Sequence, residues 1–272
     1  FGSSAAPTLK SVIAQAVQGV PQAGADDDAT VAERWIGESG DEPSYGTLGG
    51  GSDHVGFYCH LGIPSCSLGA GGSPGVSYHS NYDNLNWYRQ VVGDDYESAL
   101  MLTRIGNNLV ARLADADILP IDFQRYAGDT RRHLKTLKQR AEAHDVSVDF
   151  TPLEQAIRQY ERSADKAVQS LRMAAENDPS EQLLKQLNET LRRLERAWLR
   201  DSGLPGRPWY RNLYAASDPV SGYAADVLPA LRAAIDSGHR DRFSAVVEEY
   251  IAALQDLTSR ADSLAQIARR AE

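Results

Sequence analysis

The sequence predicts an α/β layered region over residues 1–120, followed by an α-helical bundle over residues 121–272. Two observations predict this division. Glycine, serine and short apolar runs dominate the first region, where predicted helices alternate with a short apolar strand. From about residue 120 onwards, apolar residues recur at steps of three and four through long segments, which is the pattern of helices with one buried face.

The α/β region is predicted to contain three helices and one strand. The first helix covers residues 6–20 and is closed by glycine and proline. The second covers residues 53–60 and leads into a short buried strand at 63–68. The third lies within residues 94–120 and stops at a proline. Its predicted apolar face consists of Ala99, Leu102, Ile105, Leu109, Val110 and Leu113.

The helical bundle is predicted from periodic segments at 153–171, 183–198 and 243–267. Residues 204–231 separate the last two and are rich in proline and aromatic side chains, which favours a functional or interface loop over a plain linker. In and beside this loop, three aromatic residues are predicted to be packing anchors, and two arginines to pair with carboxylates at an interface between the two domains. The anchors are Trp198, Trp209 and Tyr210, and the arginines are Arg207 and Arg211.

Composition excludes several classes of protein. A net charge of -9, with the acidic residues dispersed, argues against broad binding of nucleic acids or anionic membranes, which requires clustered lysine and arginine. Cys59 and Cys66 are too few for a disulfide framework, and their spacing fits no common zinc module. We predict that both are buried as small apolar residues, with a local disulfide as the alternative.

His79 is the candidate metal ligand in the sequence VSYHSNYDNLNWY, residues 76–88. A zinc ligand needs a neutral imidazole that its second nitrogen holds in orientation, and a loop after glycine-rich turns can aim such a ring into a cleft. Tyr78 and Tyr82 could donate hydrogen bonds to a substrate. A loop histidine packed between tyrosines explains the same residues. No complete catalytic motif accompanies it, neither His-Glu-x-x-His, nor a nucleophile elbow, nor a phosphate loop.

Four blocks of the sequence, taken in order, resemble the glutamate carboxypeptidase II and transferrin receptor family. They read GGGSDHVGFYCHLGIPSCSL from residue 49, YHSNYDNLNWY from 78, LVARLADADILPIDFQRYA from 109 and LERAWLRDSGLPGRPWYRNLYAASDPVSGYAADVLPAL from 194. The resemblance extends over about residues 45–231, and the predicted helix at 240–270 fits the end of the family's sequences. The shared order of the blocks makes the resemblance specific.

The resemblance implies part of a three-layer α/β peptidase domain in residues 1–120 and a transferrin receptor-like helical dimerisation domain in residues 121–272. Peptidases of this family hold two zinc ions, bridged by a carboxylate and a water, and use a glutamate as general base to hydrolyse peptide bonds. The implied activity is therefore that of a zinc-dependent exopeptidase acting on peptides as a homodimer.

The resemblance also implies individual site residues. His79 is the histidine of the family's YH motif and is the expected zinc ligand. Tyr78 matches a tyrosine near the substrate carboxylate and the zinc-bound oxyanion. Tyr223 matches a tyrosine that helps to bind the terminal carboxylate of the substrate, and Gly51 and Ser52 match residues that line the cleft. No catalytic residue is expected in this chain.

Two departures from the family pattern concern specificity. Members that prefer glutamate carry a lysine immediately before the tyrosine that matches Tyr223, where this sequence has Gly222. They also carry an arginine patch after the LGI motif, whereas residues 65–75 contain no basic residue. Both departures argue against a specialist for acidic substrates. Carboxypeptidase and aminopeptidase polarity both remain open.

The family's other histidine, its carboxylate ligands and its catalytic glutamate precede the matched blocks. We therefore expect an N-terminal part of the same protein to complete the two-zinc site, and this chain alone to be inactive. Relatives often act outside the cytoplasm, which the resemblance implies here. There are two alternatives. One is a non-catalytic dimer of the same fold, either receptor-like or structural, and the retained histidine of the YH motif argues against it. The other is a helical module that oligomerises alone.

Overall fold

A computed structural model describes residues 1–39, 42–71, 77–238 and 240–271. The chain forms two compact units that interleave along the sequence. We call residues 1–4, 11–46 and 67–115 the sheet unit, and residues 5–10, 47–66 and 116–272 the helical unit.

The sheet unit is built around three short strands, β1 (Gly2–Ala5), β2 (Tyr45–Gly46) and β3 (Cys66–Gly69). Their order is β2-β1-β3, and β1 runs parallel to β2 with Ser3 opposite Tyr45. Only alternate residues of β3 are partly buried, so the predicted buried strand at 63–68 is shorter and more exposed than expected.

Four helices accompany these strands: α1 (Lys10–Ala16), α2 (Val31–Ser39), α3 (Leu85–Val91) and α4 (Glu97–Ala114). A single 3-10 turn, Pro7–Leu9, leads into α1, which confirms the first predicted helix. On α4 the buried line is Met101, Ile105 and Leu109, at steps of four residues. The predicted face was too wide, because Ala99 and Val110 are exposed; Val110 lies about 100° around the helix from Leu109.

The helical unit contains α5 (Arg125–Ala143), α6 (Thr151–Glu176), α7 (Glu181–Arg193), α8 (Pro229–Asp236) and α9 (Arg240–Ala268). The helices α6 and α9 form its most extensive helix pair. Small alanines on both helices allow a close approach, and larger side chains fill the remaining space. The buried residues of this pair include Leu153, Ile157, Tyr160, Ala164, Ala167, Leu254, Leu257, Ala261 and Leu264. The predicted helical bundle is confirmed.

Two further elements of the helical unit matter for the candidate site. A π-helical turn, Gly56–His60, lies where a helix at 53–60 was predicted, and it buries Tyr58 and Cys59. The strands β4 (Ala215–Ser217) and β5 (Ala225–Val227) pair as an antiparallel hairpin. The segment at 204–231 therefore contains regular structure, and its residues 212–217 and 228–231 are buried.

The compact units do not coincide with a single cut at residue 120, because residues 5–10 and 47–66 pack with the helical unit. The assignment of 1–120 and 121–272 as domains, and of a three-layer peptidase fold to the first, stays a prediction. None of the helices in the described part of the chain has the length and apolar content needed to cross a lipid bilayer.

Candidate functional site

His79 lies on a series of tight turns between β3 and α3. The N–H of Ser80 donates to the carbonyl of Ser77 at 2.9 Å, and the N–H of Asp83 donates to the carbonyl of Ser80 at 3.1 Å. The side chain of Asn84 then caps α3 by accepting from the N–H of Trp87 at 3.0 Å. The turns are thus anchored to a helix at one end, as a loop that presents a ligand should be.

The backbone of His79 is left-handed, with φ at 57°. This conformation is uncommon for residues with a side chain, although histidine tolerates it better than most. The imidazole stacks on the ring of Tyr78, with centroids 3.8 Å apart, and both side chains are exposed. Strain of this kind occurs where a loop holds a side chain in a required position.

The His79 side chain fits one ligand position of a zinc site. Its ring nitrogens make no hydrogen bond within the described residues, and only its backbone N–H is engaged, with Asp83 Oδ2 at 3.4 Å. Neutral imidazole is a preferred zinc ligand. The described residues contain no cluster of three histidine, cysteine or acidic side chains that could hold a metal. His79 would therefore need ligands from elsewhere.

Gly51 and Tyr223 meet within the helical unit, where the glycine loop 49–51 packs against the hairpin loop 218–224. The N–H of Gly50 donates to the carbonyl of Tyr223 at 2.9 Å. A Cβ on Gly50 would lie 1.8 Å from the carbonyl oxygen of Gly222, and a Cβ on Gly51 would lie 2.4 Å from the ring of Tyr223. Only glycine permits this approach.

Ser52 follows the glycine loop and is exposed. Its carbonyl accepts the N–H of Val55 at 3.2 Å, which begins the turn into the π-helix. The structure therefore brings together Gly51 and Tyr223 in the helical unit, with Ser52 beside Gly51. Tyr78 and His79 lie together in the sheet unit.

The hairpin loop is held by its own side chains. Asp218 Oδ1 accepts the N–H groups of Ser221 and Val220 at 2.7 and 3.1 Å. The N–H of Ser221 is the main reason that the pKa of the Asp218 carboxyl lies below its usual value. Ser221 Oγ accepts from the N–H groups of Tyr223 and Ala224 at 3.2 and 3.1 Å. These bonds leave the Tyr223 side chain 60% exposed and available to a ligand.

The aromatic anchors are confirmed only in part. Trp198 is fully buried, and Tyr210 packs against the core. Trp209 was wrongly predicted as an anchor, because it is 48% exposed and stacks on His60 with centroids 4.9 Å apart. Trp209 lies in a turn directly after Pro208, where no helix face directs its side chain inwards.

The two arginines pair within one unit, and the two cysteines are not bonded to each other. Arg207 and Arg211 pair with Asp226 and Asp201, and all four residues belong to the helical unit, so the expected pairing across a domain interface was wrong. Both cysteines are free thiols, which excludes the local disulfide. Burial raises the pKa of the Cys59 thiol to about 12, so this group stays protonated and unreactive.

Three buried ionisable residues of the helical unit were missed from the sequence. Glu195 is 1% exposed and accepts a short hydrogen bond from Thr8 Oγ1. Lys10 forms a buried ion pair with Asp129. For Glu195 and Lys10 the spacing was the available signal: Glu195 follows Leu191 by four residues and Lys10 precedes Ile13 by three, which places each side chain on an apolar helix face.

Replacing Gly50 with alanine is expected to destabilise the contact between the glycine loop and the hairpin loop by about 1–3 kcal/mol, because the added methyl group would overlap a backbone carbonyl. Thermal unfolding and hydrogen exchange at residues 218–224 measure the effect. Gly56→Ala is the matched control, since nothing lies within 4 Å of its Cβ position. Equal behaviour of the two variants would contradict the proposed packing.

Comparison with known proteins identifies the family. Residues 148–264 match the transferrin receptor-like dimerisation domain. A probable glutamate carboxypeptidase of Arthroderma benhamiae is 31% identical over 90% of this chain and 34% of its own length. A probable glutamate carboxypeptidase of Arabidopsis thaliana is 28% identical over 88% of this chain and 34% of its own length.

The aminopeptidase NAALADL1 of Rattus norvegicus is 24% identical over 79% of this chain and 31% of its own length. The chain thus spans about a third of the length of the curated relatives it matches. The four sequence blocks, the helical bundle and these relatives agree, and the chain belongs to the glutamate carboxypeptidase and transferrin receptor family.

Proposed function

We propose that this chain forms part of a zinc-dependent exopeptidase that hydrolyses peptide bonds. The observation that carries the proposal is the exposed imidazole of His79, held on a strained turn beside Tyr78 with both ring nitrogens available. Relatives named glutamate carboxypeptidase and aminopeptidase support peptidase chemistry. Because the chain spans about a third of those relatives, the remaining metal ligands and the general base are proposed to come from polypeptide outside residues 1–272.

The residues of this chain would then bind metal and substrate. His79 would hold one of two zinc ions, and Tyr78 would donate from its phenol to the substrate oxygen that gains charge. Tyr223 would donate to the terminal carboxylate of the peptide, while Gly51 and Ser52 form the adjacent wall. When bound, the zinc ions would activate a water and polarise the scissile carbonyl.

The substrate class is proposed to be peptides without a strict requirement for an acidic terminal residue. Gly222 precedes Tyr223, and the hairpin loop 218–224 contains no lysine or arginine. An acidic side chain would gain little there, because a buried or half-buried carboxylate needs a cationic partner. A role of Tyr223 at the terminal carboxylate corresponds to carboxypeptidase action, whereas an aminopeptidase would bind the other end of the peptide.

The proposed assembly is a homodimer formed through the helical unit. Residues 148–264 match a dimerisation domain, and this range contains α6, α7, α8 and most of α9. Light scattering on the full-length protein measures its mass in solution. A monomer at micromolar concentration would contradict the proposed assembly.

Replacing His79 with asparagine is expected to remove one of about two zinc ions per chain and to lower peptidase activity by more than about 100-fold, because a direct ligand is lost. Asparagine tolerates the left-handed backbone, so the turn should be preserved. Elemental analysis of the full-length protein measures the zinc content.

His144→Asn is the matched control, because His144 is also exposed and lies at the end of α5. Full zinc content in His79→Asn would show that the ring is not a ligand. A full-length protein that binds no zinc would instead support the receptor-like, non-catalytic dimer.

A further inference from the structure

The hairpin that presents Tyr223 is too small to hold itself in place. The strands β4 and β5 have three residues each and pair Ala216 with Asp226 at their centre. An isolated two-stranded hairpin is marginally stable at best, even when its strands are longer. The position of the loop 218–224 must therefore be fixed by contacts from outside the hairpin.

Arg207 supplies such contacts to both strands at once. Its Nη1 donates to the carbonyl of Ser217, the last residue of β4, at 2.5 Å. Its Nη2 lies 3.4 Å from Oδ2 of Asp226, the central residue of β5, whose side chain is 6% exposed. One planar guanidinium thus bridges a backbone carbonyl and a buried carboxylate on neighbouring strands.

The surrounding residues hold the guanidinium in orientation. Its carbon lies 5.1 Å from the centroid of the Tyr210 ring, and the Tyr210 hydroxyl donates to Ser217 Oγ at 3.1 Å. On the opposite side, Arg232 of α8 reaches the other oxygen of Asp226, Oδ1, at 3.3 Å. Asp226 is therefore paired with two arginines, which offsets the cost of burying its charge.

The bridge lies directly beside the contact between the hairpin and the glycine loop. Ser217 precedes the loop that carries Tyr223, and Ser217 Oγ would lie 2.5 Å from a Cβ on Gly50. The N–H of Gly50 donates to the Tyr223 carbonyl on the same side. A displacement of Ser217 would therefore move both the hairpin loop and the wall formed by the glycine loop.

We propose that Arg207 is a positioning residue that fixes Tyr223 for binding the terminal carboxylate of a peptide substrate, by bridging Ser217 and Asp226. This inference rests on the proposed exopeptidase function. Lysine cannot replace arginine here, because a single ammonium lacks the planar fork that reaches two acceptors in fixed directions. The residue does not touch the substrate and acts through the hairpin.

The test compares Arg207→Lys with Arg211→Lys in the full-length protein. Arg211 lies on the same loop and pairs with Asp201, which is 99% exposed, and within the described residues its hydrogen bonds go to Arg200, Asp201 and Cys59 and not to the hairpin. For Arg207→Lys we expect KM for a peptide to rise about tenfold while kcat changes less than about threefold. Hydrogen exchange at residues 218–224 should accelerate in the same variant. Both measurements should be unchanged in Arg211→Lys.

The possible outcomes separate this inference from the proposed function. Wild-type exchange at 218–224 and wild-type KM in Arg207→Lys would overturn the positioning role. If Arg207→Lys accelerates exchange at 218–224 but the wild-type full-length protein hydrolyses no peptide, the bridge is supported and the exopeptidase function is rejected. Should Arg207→Lys fail to fold, Asp226→Asn removes the same ion pair with little change of shape, and should raise KM and exchange in the same direction; unchanged values there would also overturn the role.

Discussion

Replacing Asp129 with alanine is expected to destabilise the helical unit by about 3–5 kcal/mol, because it leaves the Lys10 ammonium buried without that carboxylate. The two side chains are 7% and 3% exposed, and Lys10 Nζ lies 2.5 Å from Asp129 Oδ2. Burial lowers the pKa of Lys10, and the charge of Asp129 opposes that shift. Removing the carboxylate leaves the desolvation cost without its main compensation.

Urea unfolding followed by helical circular dichroism measures this loss. Asp201→Ala is the control, because Asp201 is 99% exposed and an exposed ion pair contributes about 0–1 kcal/mol. The double variant Lys10→Met/Asp129→Leu should be close to wild type in stability, since it removes both charges and keeps the volume. A loss below about 1 kcal/mol in Asp129→Ala would show that Lys10 reaches water.

Two buried groups are expected to give the helical unit opposite dependences on pH. Burial raises the pKa of Glu195 from 4.5 to about 7. Between pH 4.5 and 7 the unfolded state has released a proton that the folded state keeps, so the free energy of unfolding falls as pH rises. The total fall is about 3 kcal/mol, and it persists above pH 7. Burial lowers the pKa of His133 from 6.5 to about 4. Between pH 4 and 6.5 the unfolded state binds a proton at His133 that the folded state does not, so the free energy of unfolding rises with pH by a similar amount.

The two effects nearly cancel between pH 4.5 and 6.5 in the wild-type protein. Glu195→Gln should therefore gain stability with rising pH across this window, and should be about 3 kcal/mol more stable than wild type at pH 8. His133→Gln should lose stability with rising pH over the same window. The tyrosines that surround Glu195 stay neutral, because burial raises their pKa values further; these are Tyr58, Tyr126, Tyr160 and Tyr214.

Urea midpoints at pH 4, 5.5 and 8 measure these profiles. The difference between each variant and wild type removes the contributions of other titrating groups, such as Asp226, whose pKa burial also raises. Parallel profiles for wild type and Glu195→Gln would show that the carboxyl does not titrate in this range. Thr8→Ala is a further comparison, because it removes a hydrogen bond that lowers the pKa of Glu195, and the fall in stability should extend to higher pH and become larger.

The helical bundle could be predicted because its signal is local. Leu183, Leu187 and Leu191 recur every four residues on α7, and each is buried. Such a period sets which side of a helix is apolar, whatever packs against it. It does not set how wide the buried stripe is, which is why Val110 of α4 was placed in the core although it is exposed.

The candidate site was predictable by resemblance but not by pattern. Nothing in the glycine run at 49–51 indicates that its partner is a carbonyl at Tyr223, more than 170 residues away. The bridge made by Arg207 is hidden for the same reason, since an arginine in a loop carries no sign of its acceptors. Long-range pairing depends on tertiary packing, and a single sequence does not encode it in any local period.

The interleaving of the two units has a consequence for how the protein can be divided. A recombinant piece that starts at residue 121 would lose Thr8, Lys10 and Tyr58, and with them the native neighbours of Glu195, Asp129 and Asn212. Excision by sequence position would thus leave holes in the interior of the bundle and remove the hydrogen bond of Thr8 to Glu195, while Asp129 would keep its ion pair with Arg132. Autonomous expression of the bundle requires grafting the two short upstream segments back, or replacing the acids that depend on them.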